Sequence, residues 1–277
     1  MNYRHAFHAG GFGDCLKQAL VMALIGRLHR KERPIAVLDT HAGAGAYDLG
    51  GPEAERTGEW REGIARLFAD PPVALAAYVA LVQASLAASE GRFPGSPSLI
   101  RRLLRPQDRL ICCELHPEEH AALKRCFADD RQVAVHRRNG WEALHGLLPP
   151  EPRRGLVLID PPYEEPGETA RLAEGLAAAN LRFPTGVLAA WYPIKHRAPV
   201  RALHEALAAG GLRDVVATEL YLREPTDPLR LNGAGMVVVQ PPFEFLAAAR
   251  PILEALAGRL GRGEAGGGVA LLRIAGE

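Results

Sequence analysis

"GLVLIDPPYEE", Gly155 to Glu165, decides the fold. A glycine and four aliphatic residues read as a strand covered on both faces, the signature of a parallel sheet between helix layers. The strand then runs into Asp160-Pro161-Pro162-Tyr163. Proline has no N–H and fixes its own φ, so ladder bonding stops at once. A carboxylate and an aromatic ring are left on a stiff corner at the end of a buried strand.

Similar apolar runs recur at Ile35–Asp39, Leu110–Leu115, Val133–His136, Val187–Tyr192, Val215–Leu222 and Met236–Gln240. Helical patterns separate most of them, at Pro117–Phe127, Thr169–Ala179 and Val200–Ala209. Alternation of this kind predicts a doubly wound α/β fold with a mostly parallel sheet of seven strands. The loop Arg223–Gly235 leaves no room for a crossover helix, so the last strand is expected to be antiparallel. A helix with Leu16, Leu20, Leu24 and Leu28 in its apolar stripe, capped by Asp14, precedes the first strand. The span 51–105 shows no strand pattern. Helices over Glu59–Phe68 and Val73–Ala88 mark it as a helical insert, leaving 1–50 and 106–277 as the main domain. "GRGEAGGG", Gly261–Gly268, reads as a flexible turn.

The 277 residues, 48% hydrophobic and 23% charged, suffice for a sizeable core. A net charge of +1 favours neither nucleic acid nor small molecule as partner. Four cysteines without a C-x-x-C pattern read as free thiols in a reducing cytoplasm, with Cys112 and Cys113 buried. Neither a signal-peptide pattern nor a run of about 18 uncharged apolar residues occurs, so a cytoplasmic protein is expected. His5 and His8 lack partners at metal spacing, and no metal is expected.

Chemistry gathers at the strand ends. "LDTHAGAGAY", Leu38–Tyr47, puts Asp39 ahead of Gly43 and Gly45, a turn that admits close approach of a nucleoside. The spacing departs from the dinucleotide fingerprint, and taken alone the motif fits a plain glycine turn equally well. Glu114 ends the second strand, where an acid takes paired ribose hydroxyls. His41 either touches a cofactor or caps the turn.

Asp160-Pro161-Pro162-Tyr163 suits one reaction in particular. A nucleobase amine is a poor nucleophile because its lone pair is delocalised into the ring. Methylating it requires an acceptor for its hydrogens, a donor methyl in line, and a surface that grips the ring. Asp160 accepts one N–H, the diproline turn offers a carbonyl for the other, and Tyr163 stacks on the extruded base. The methyl donor this implies is S-adenosylmethionine. "YRHAFHAGGFGDCLK", Tyr3–Lys17, is rich in aromatic, basic and glycine residues and suits a loop that closes over a ligand. Arg101, Arg102, Arg105, Arg137, Arg138, Arg153, Arg154 and Lys195–Arg197 are candidates for phosphate contacts, each with a solvated face as the alternative.

Together, "YRHAFHAG", "LDTHAGAGAYDLG", "ERTGEW", "PGSP", "ELHP", "RRGLVLIDPPYE", "WYPI" and "GMVVVQPP" span nearly the whole chain in order. In these motifs the sequence resembles the RlmJ family of bacterial 23S ribosomal RNA adenine methyltransferases. The resemblance implies a Rossmann-like class I methyltransferase with a small helical insert. The implied reaction is S-adenosylmethionine-dependent methylation of the exocyclic N6 amine of one adenine of 23S rRNA; a monomer is expected. It implies Asp160 as the catalytic acceptor and Tyr3, His5 and Lys17 as residues that engage the target. It implies Gln18, His41, Ser96, Glu114, Asn139, Gly140 and Asp160 as cofactor contacts. Asn139 stands where the family usually has aspartate, and Gln18 where it has histidine. Two other functions also fit the residues: a DNA adenine methyltransferase with the same acidic corner, and a catalytically idle RNA-binding protein.

Overall fold

The computed structural model describes residues 4–164, 167–261 and 263–276. Among them ten strands form: β1 (Ala36–Asp39), β2 (Ala46–Tyr47), β3 (Phe93–Pro94), β4 (Arg109–Cys113), β5 (Val133–His136), β6 (Gly155–Ile159), β7 (Val187–Ile194), β8 (Val215–Tyr221), β9 (Gly233–Val239) and β10 (Gly268–Ala275). Eight make one sheet in the order β5-β4-β1-β6-β7-β9-β8-β10. β4, β1, β6 and β7 run parallel, as does β5 beside β4. β9 is antiparallel to both β7 and β8. The Rossmann-like α/β class and the seven strands expected from the apolar runs are present.

The eighth strand corrects the expected count. β10 follows the glycine run that reads as a flexible turn and pairs antiparallel with β8 at the sheet edge. Its residues are mostly half-buried, so it lacks the continuous apolar pattern of the central strands.

Side chains alternate between two cores because successive strand residues point to opposite faces. Val37, Leu156 and Leu158 join Leu16, Leu20 and Leu24 of the helix Phe12–Leu28, the C-terminal helix Phe245–Leu260 and the 51–105 segment. Leu38, Val157 and Ile159 face the helices Gly140–Gly146, Glu168–Arg182 and Arg197–Ala209.

Three local expectations need correction. The segment 51–105 is mostly helical but contains β3, which pairs with β2 in a two-stranded ribbon. The helix expected at Glu59–Phe68 is broken at Gly63, where the amide of Ile64 donates to the Gly10 carbonyl at 2.9 Å. Asp14 is not the N-cap of the first long helix. Gly11 holds that position, and Asp14 lies in the first turn, accepting from the Gly10 amide at 3.0 Å.

The stretch before that helix is held from several sides. Arg4 reaches Glu118 at 2.9 Å, His8 reaches Glu59 at 2.9 Å, and the Thr57 hydroxyl donates to the Phe7 carbonyl. The N-terminal segment is thus strapped across the carboxyl edge of the sheet.

Leu158 is fully buried in β6. Leu158→Ala is expected to cost ~2–5 kcal/mol in urea denaturation, from lost burial plus the residual cavity. An unchanged midpoint would contradict the central placement of this strand.

Candidate active site

A cavity of about 520 Å³ opens at the carboxyl ends of β1, β4 and β6. β1 lies between β4 and β6, where successive connections leave in opposite directions. Crevices at such switch points are where open α/β sheets bind ligands. The volume is in the range of small-molecule sites.

On one side stands the acidic corner. Asp160 follows β6 directly, and its Oδ2 accepts from Lys17 Nζ at 2.5 Å. Lys17 Nζ also lies 2.9 Å from Asp14 Oδ1. Asp14 Oδ2 in turn meets His5 Nε2 at 3.0 Å. Asp14 and Lys17 are 4% and 5% exposed, so this is a charge chain shielded from water. Burial opposes both charges. The interactions with His5 and Lys17 overcome it at Asp14, holding that carboxyl well below the usual carboxylate range. Burial likewise disfavours the Lys17 ammonium, and the carboxylates Asp14 and Asp160 outweigh it, so Lys17 stays protonated well above its ordinary range. Lys17 is therefore a fixed cation and donor, not a base.

The other side is a cradle of backbone and carboxylates. Asp39, fully buried at the end of β1, accepts from Ser96 Oγ at 2.6 Å and more distantly from the His41 amide at 3.4 Å. Burial pushes its carboxyl up to about 6, against the opposing Ser96 hydrogen bond. His41 is pulled down to about 4 by burial; its Nδ1 lies 2.8 Å from Thr40 Oγ1 and its ring edge-on to Trp141. At neutral pH it is uncharged and does not repel a cationic ligand.

Glu114 accepts from the Gly43 amide at 2.9 Å and from the His116 amide at 2.7 Å, which ties the ends of β1 and β4 together. Gly43 has φ +62°, and a Cβ there would sit 2.0 Å from the Tyr47 hydroxyl, so only glycine fits. Asn139 Oδ1 caps the helix Gly140–Gly146 by accepting from the Trp141 amide at 2.9 Å. A Cβ on Gly140 would lie 2.3 Å from the Thr40 carbonyl.

His5, Lys17, His41, Ser96, Glu114, Asn139, Gly140 and Asp160 all line this one cavity. Gln18 does not. One residue beyond Lys17 on the helix it turns about 100° away. There its Nε2 donates to the Pro94 carbonyl at 2.9 Å and its Oε1 accepts from Tyr78 at 3.0 Å. It braces β3 from behind the cavity wall. Tyr163 also stands off the lining: its hydroxyl donates to the Trp191 carbonyl at 2.5 Å, and its backbone holds φ +53°, a strained value for an aromatic residue. Tyr3 lies outside the described residues.

Residues passed over in the sequence also contribute. Trp141, Glu119 and Arg171 line the cavity, and the Arg171 guanidinium lies 5.0 Å over the Trp141 ring. Asp14 had a visible signal: Asp and Lys three apart share a helix face. Several basic candidates are engaged within the fold. Arg101 pairs with Asp130, Arg105 with Asp108 and Arg197 with Glu224, while Arg154 donates to the carbonyls of Leu28 and Arg33. Cys126 is exposed, unlike the buried Cys15, Cys112 and Cys113. Among the described residues no helix is long and apolar enough to cross a membrane.

Residues 32–272 match the family model described as ribosomal RNA large subunit methyltransferase D, RlmJ. The chain belongs to the RlmJ family. Ribosomal RNA large subunit methyltransferase J of Escherichia coli (strain K12) is 41% identical over 248 residues, 88% of this chain and 89% of that protein. Its namesake from Haemophilus influenzae is 38% identical, covering 91% and 92% of the two chains. A crystal structure of protein LPL1258 from Legionella pneumophila str. Philadelphia 1 superposes with a TM-score of 0.86 at 30% identity, covering 96% and 98%. The family match thus takes in the 51–105 segment and nearly all of the sheet.

Asp39 and His41 give this RlmJ family member opposing pH dependences. Folded Asp39 keeps its proton to about pH 6, above its ordinary 3.8, so between these values this group makes stability fall as pH rises. Folded His41 stays neutral down to about pH 4, below its ordinary 6.5, so it makes stability rise with pH across that span. Asp39→Asn removes only the first effect. Urea-derived stability of the variant should climb more steeply than wild type from pH 4 to 6; parallel curves would contradict the assignment.

Proposed function

We propose that the protein transfers a methyl group from S-adenosylmethionine to the exocyclic N6 amine of an adenine in 23S rRNA, acting as a cytoplasmic monomer. The observation that carries this reading is the Lys17–Asp160 contact of 2.5 Å at the rim of a cavity that Ser96, Glu114 and Gly140 also line. An RNA substrate is supported by membership of a family whose curated members are named for ribosomal RNA.

The cavity suits the cofactor in charge and shape. Carboxylates of Asp160, Glu114 and Glu119 face a space in which His41 is neutral, as a sulfonium cation requires. Glu114 takes the ribose hydroxyls through lone pairs left free by its two amide bonds. Asn139, whose Oδ1 already caps a helix, offers its amide N–H to the adenine ring, and Gly140 lets the ring lie against the backbone. When bound, S-adenosylmethionine supplies a methyl made electrophilic by its cationic sulfur.

The protein's part falls to the acidic corner. Lys17 occupies one oxygen of Asp160, leaving the other to accept an N–H of the target amine. That hydrogen bond would draw the nitrogen lone pair out of conjugation, and the proton shed as the N–C bond forms and the S–C bond breaks would leave along it through Asp160. Lys17, bonded to Asp14 and Asp160, has a third N–H for an acceptor nitrogen of the purine. The strap His5–Gly11 contributes His5 to the cavity wall. The division into a methyltransferase domain (1–50 and 106–277) and a helical insert (51–105) belongs to the same reading, with the insert supplying Ser96 to the cavity.

Incubation with labelled cofactor and unmodified large-subunit RNA, followed by nucleoside analysis, is expected to yield N6-methyladenosine. Asp160→Ala is expected to lower the rate at least ~100-fold. Absence of transfer to any RNA, or preference for duplex DNA supplied in competition, would overturn the proposal.

A further inference from the structure

Asp14 does not line the cavity, yet three parts of the molecule converge on it. Its Oδ1 lies 2.9 Å from Lys17 Nζ. Its Oδ2 lies 3.0 Å from His5 Nε2 and accepts from the Gly10 amide at 3.0 Å. Through Lys17 it is one contact from Asp160. Its role in the helix does not require this, since Gly11 holds the N-cap.

We infer that Asp14 is a positioning residue for methyl transfer: it pins the Lys17 ammonium so that Lys17 holds Asp160 in the one orientation that presents a free oxygen to the acceptor amine. The inference rests on the methyltransferase reading above. A lysine ammonium is a point charge on a flexible four-carbon stem, and a single partner leaves it several geometries. A second carboxylate three residues earlier on the same helix face removes that freedom. The same carboxylate anchors His5, so the strap and the acidic corner share one fixed point. A displacement of about 1 Å at a reacting group lowers rates by about a hundredfold, so such an anchor acts on turnover without touching the substrate.

Asp14→Asn is nearly isosteric but supplies only one acceptor oxygen. Its amide N–H groups must then face Lys17 or the His5 and Gly10 side, where donors already stand. The test is a double-mutant cycle of Asp14→Asn with Lys17→Met, read in kcat, with cofactor affinity measured separately by titration calorimetry and thermal unfolding recorded for each variant. If Asp14 acts through Lys17, Asp14→Asn lowers kcat at least ~10-fold, leaves cofactor Kd within about twofold, and costs nothing further in the Lys17→Met background. Asp14→Glu, which keeps the charge, recovers part of the rate lost in Asp14→Asn. The inference is overturned by multiplicative losses in the double variant, by a loss confined to cofactor affinity or unfolding temperature, or by Asp14→Glu no better than Asp14→Asn. A wild-type protein that transfers no methyl at all overturns the methyltransferase reading itself, and this inference with it.

Discussion

The site depends on a part-buried contact between residues 143 positions apart, the Lys17 ammonium on the Asp160 carboxylate. Burying two charges costs several kcal/mol of desolvation, which attraction recovers only when the geometry is good and the remaining donors are satisfied. Here Asp14 satisfies one of those donors. A buried pair of this kind is weak grounds for stability and better grounds for fixed placement. Apolar packing sets that placement: Leu16, Leu20 and Leu24 fix the first long helix against the sheet face that includes Leu156 and Leu158 of β6. The helix cannot shift on that face without drawing Lys17 off the corner where β6 ends.

The parallel sheet supplies the rest. Its central strands are buried on both faces, so only their carboxyl ends are free to carry polar groups. Each of three neighbouring strands ends in an acid with a different environment. Asp39 is dry and held by Ser96, Glu114 is half-buried and bound by two amides, and Asp160 is paired with a lysine. Three carboxylates of one chemistry thereby serve as a structural bridge, a ribose acceptor and an amine acceptor in the proposed mechanism.

Much of this was legible in the sequence, because strands covered on both faces must be apolar throughout and must end abruptly. That logic located β1, β4, β5, β6, β7, β8 and β9 and drew attention to His41, Glu114 and Asp160 at their ends. It failed where the pattern carries less information. β10 is a half-buried edge strand after a glycine run, and β2 and β3 are two residues each, too short for periodicity to register. Gln18 enters only through the family resemblance, and because adjacent residues on a helix face different surroundings, Lys17 lines the cavity while Gln18 braces Pro94. Asp14 read as a cap because its partners are dispersed: His5 lies in the strap, and Asp160 is reached only through Lys17. Tyr163 read as a stacking surface, and the structure bonds its hydroxyl to the Trp191 carbonyl, a contact no local pattern announces.

The most direct measurement is a crystal structure of the protein with S-adenosylhomocysteine and a short RNA containing an extruded adenine. The account predicts the purine amine about 3 Å from the Asp160 oxygen that Lys17 does not occupy, with the sulfur facing that amine across the cavity. An adenine whose amine is turned from Asp160, or a cofactor product lodged outside the Ser96, Glu114 and Gly140 cradle, would contradict it.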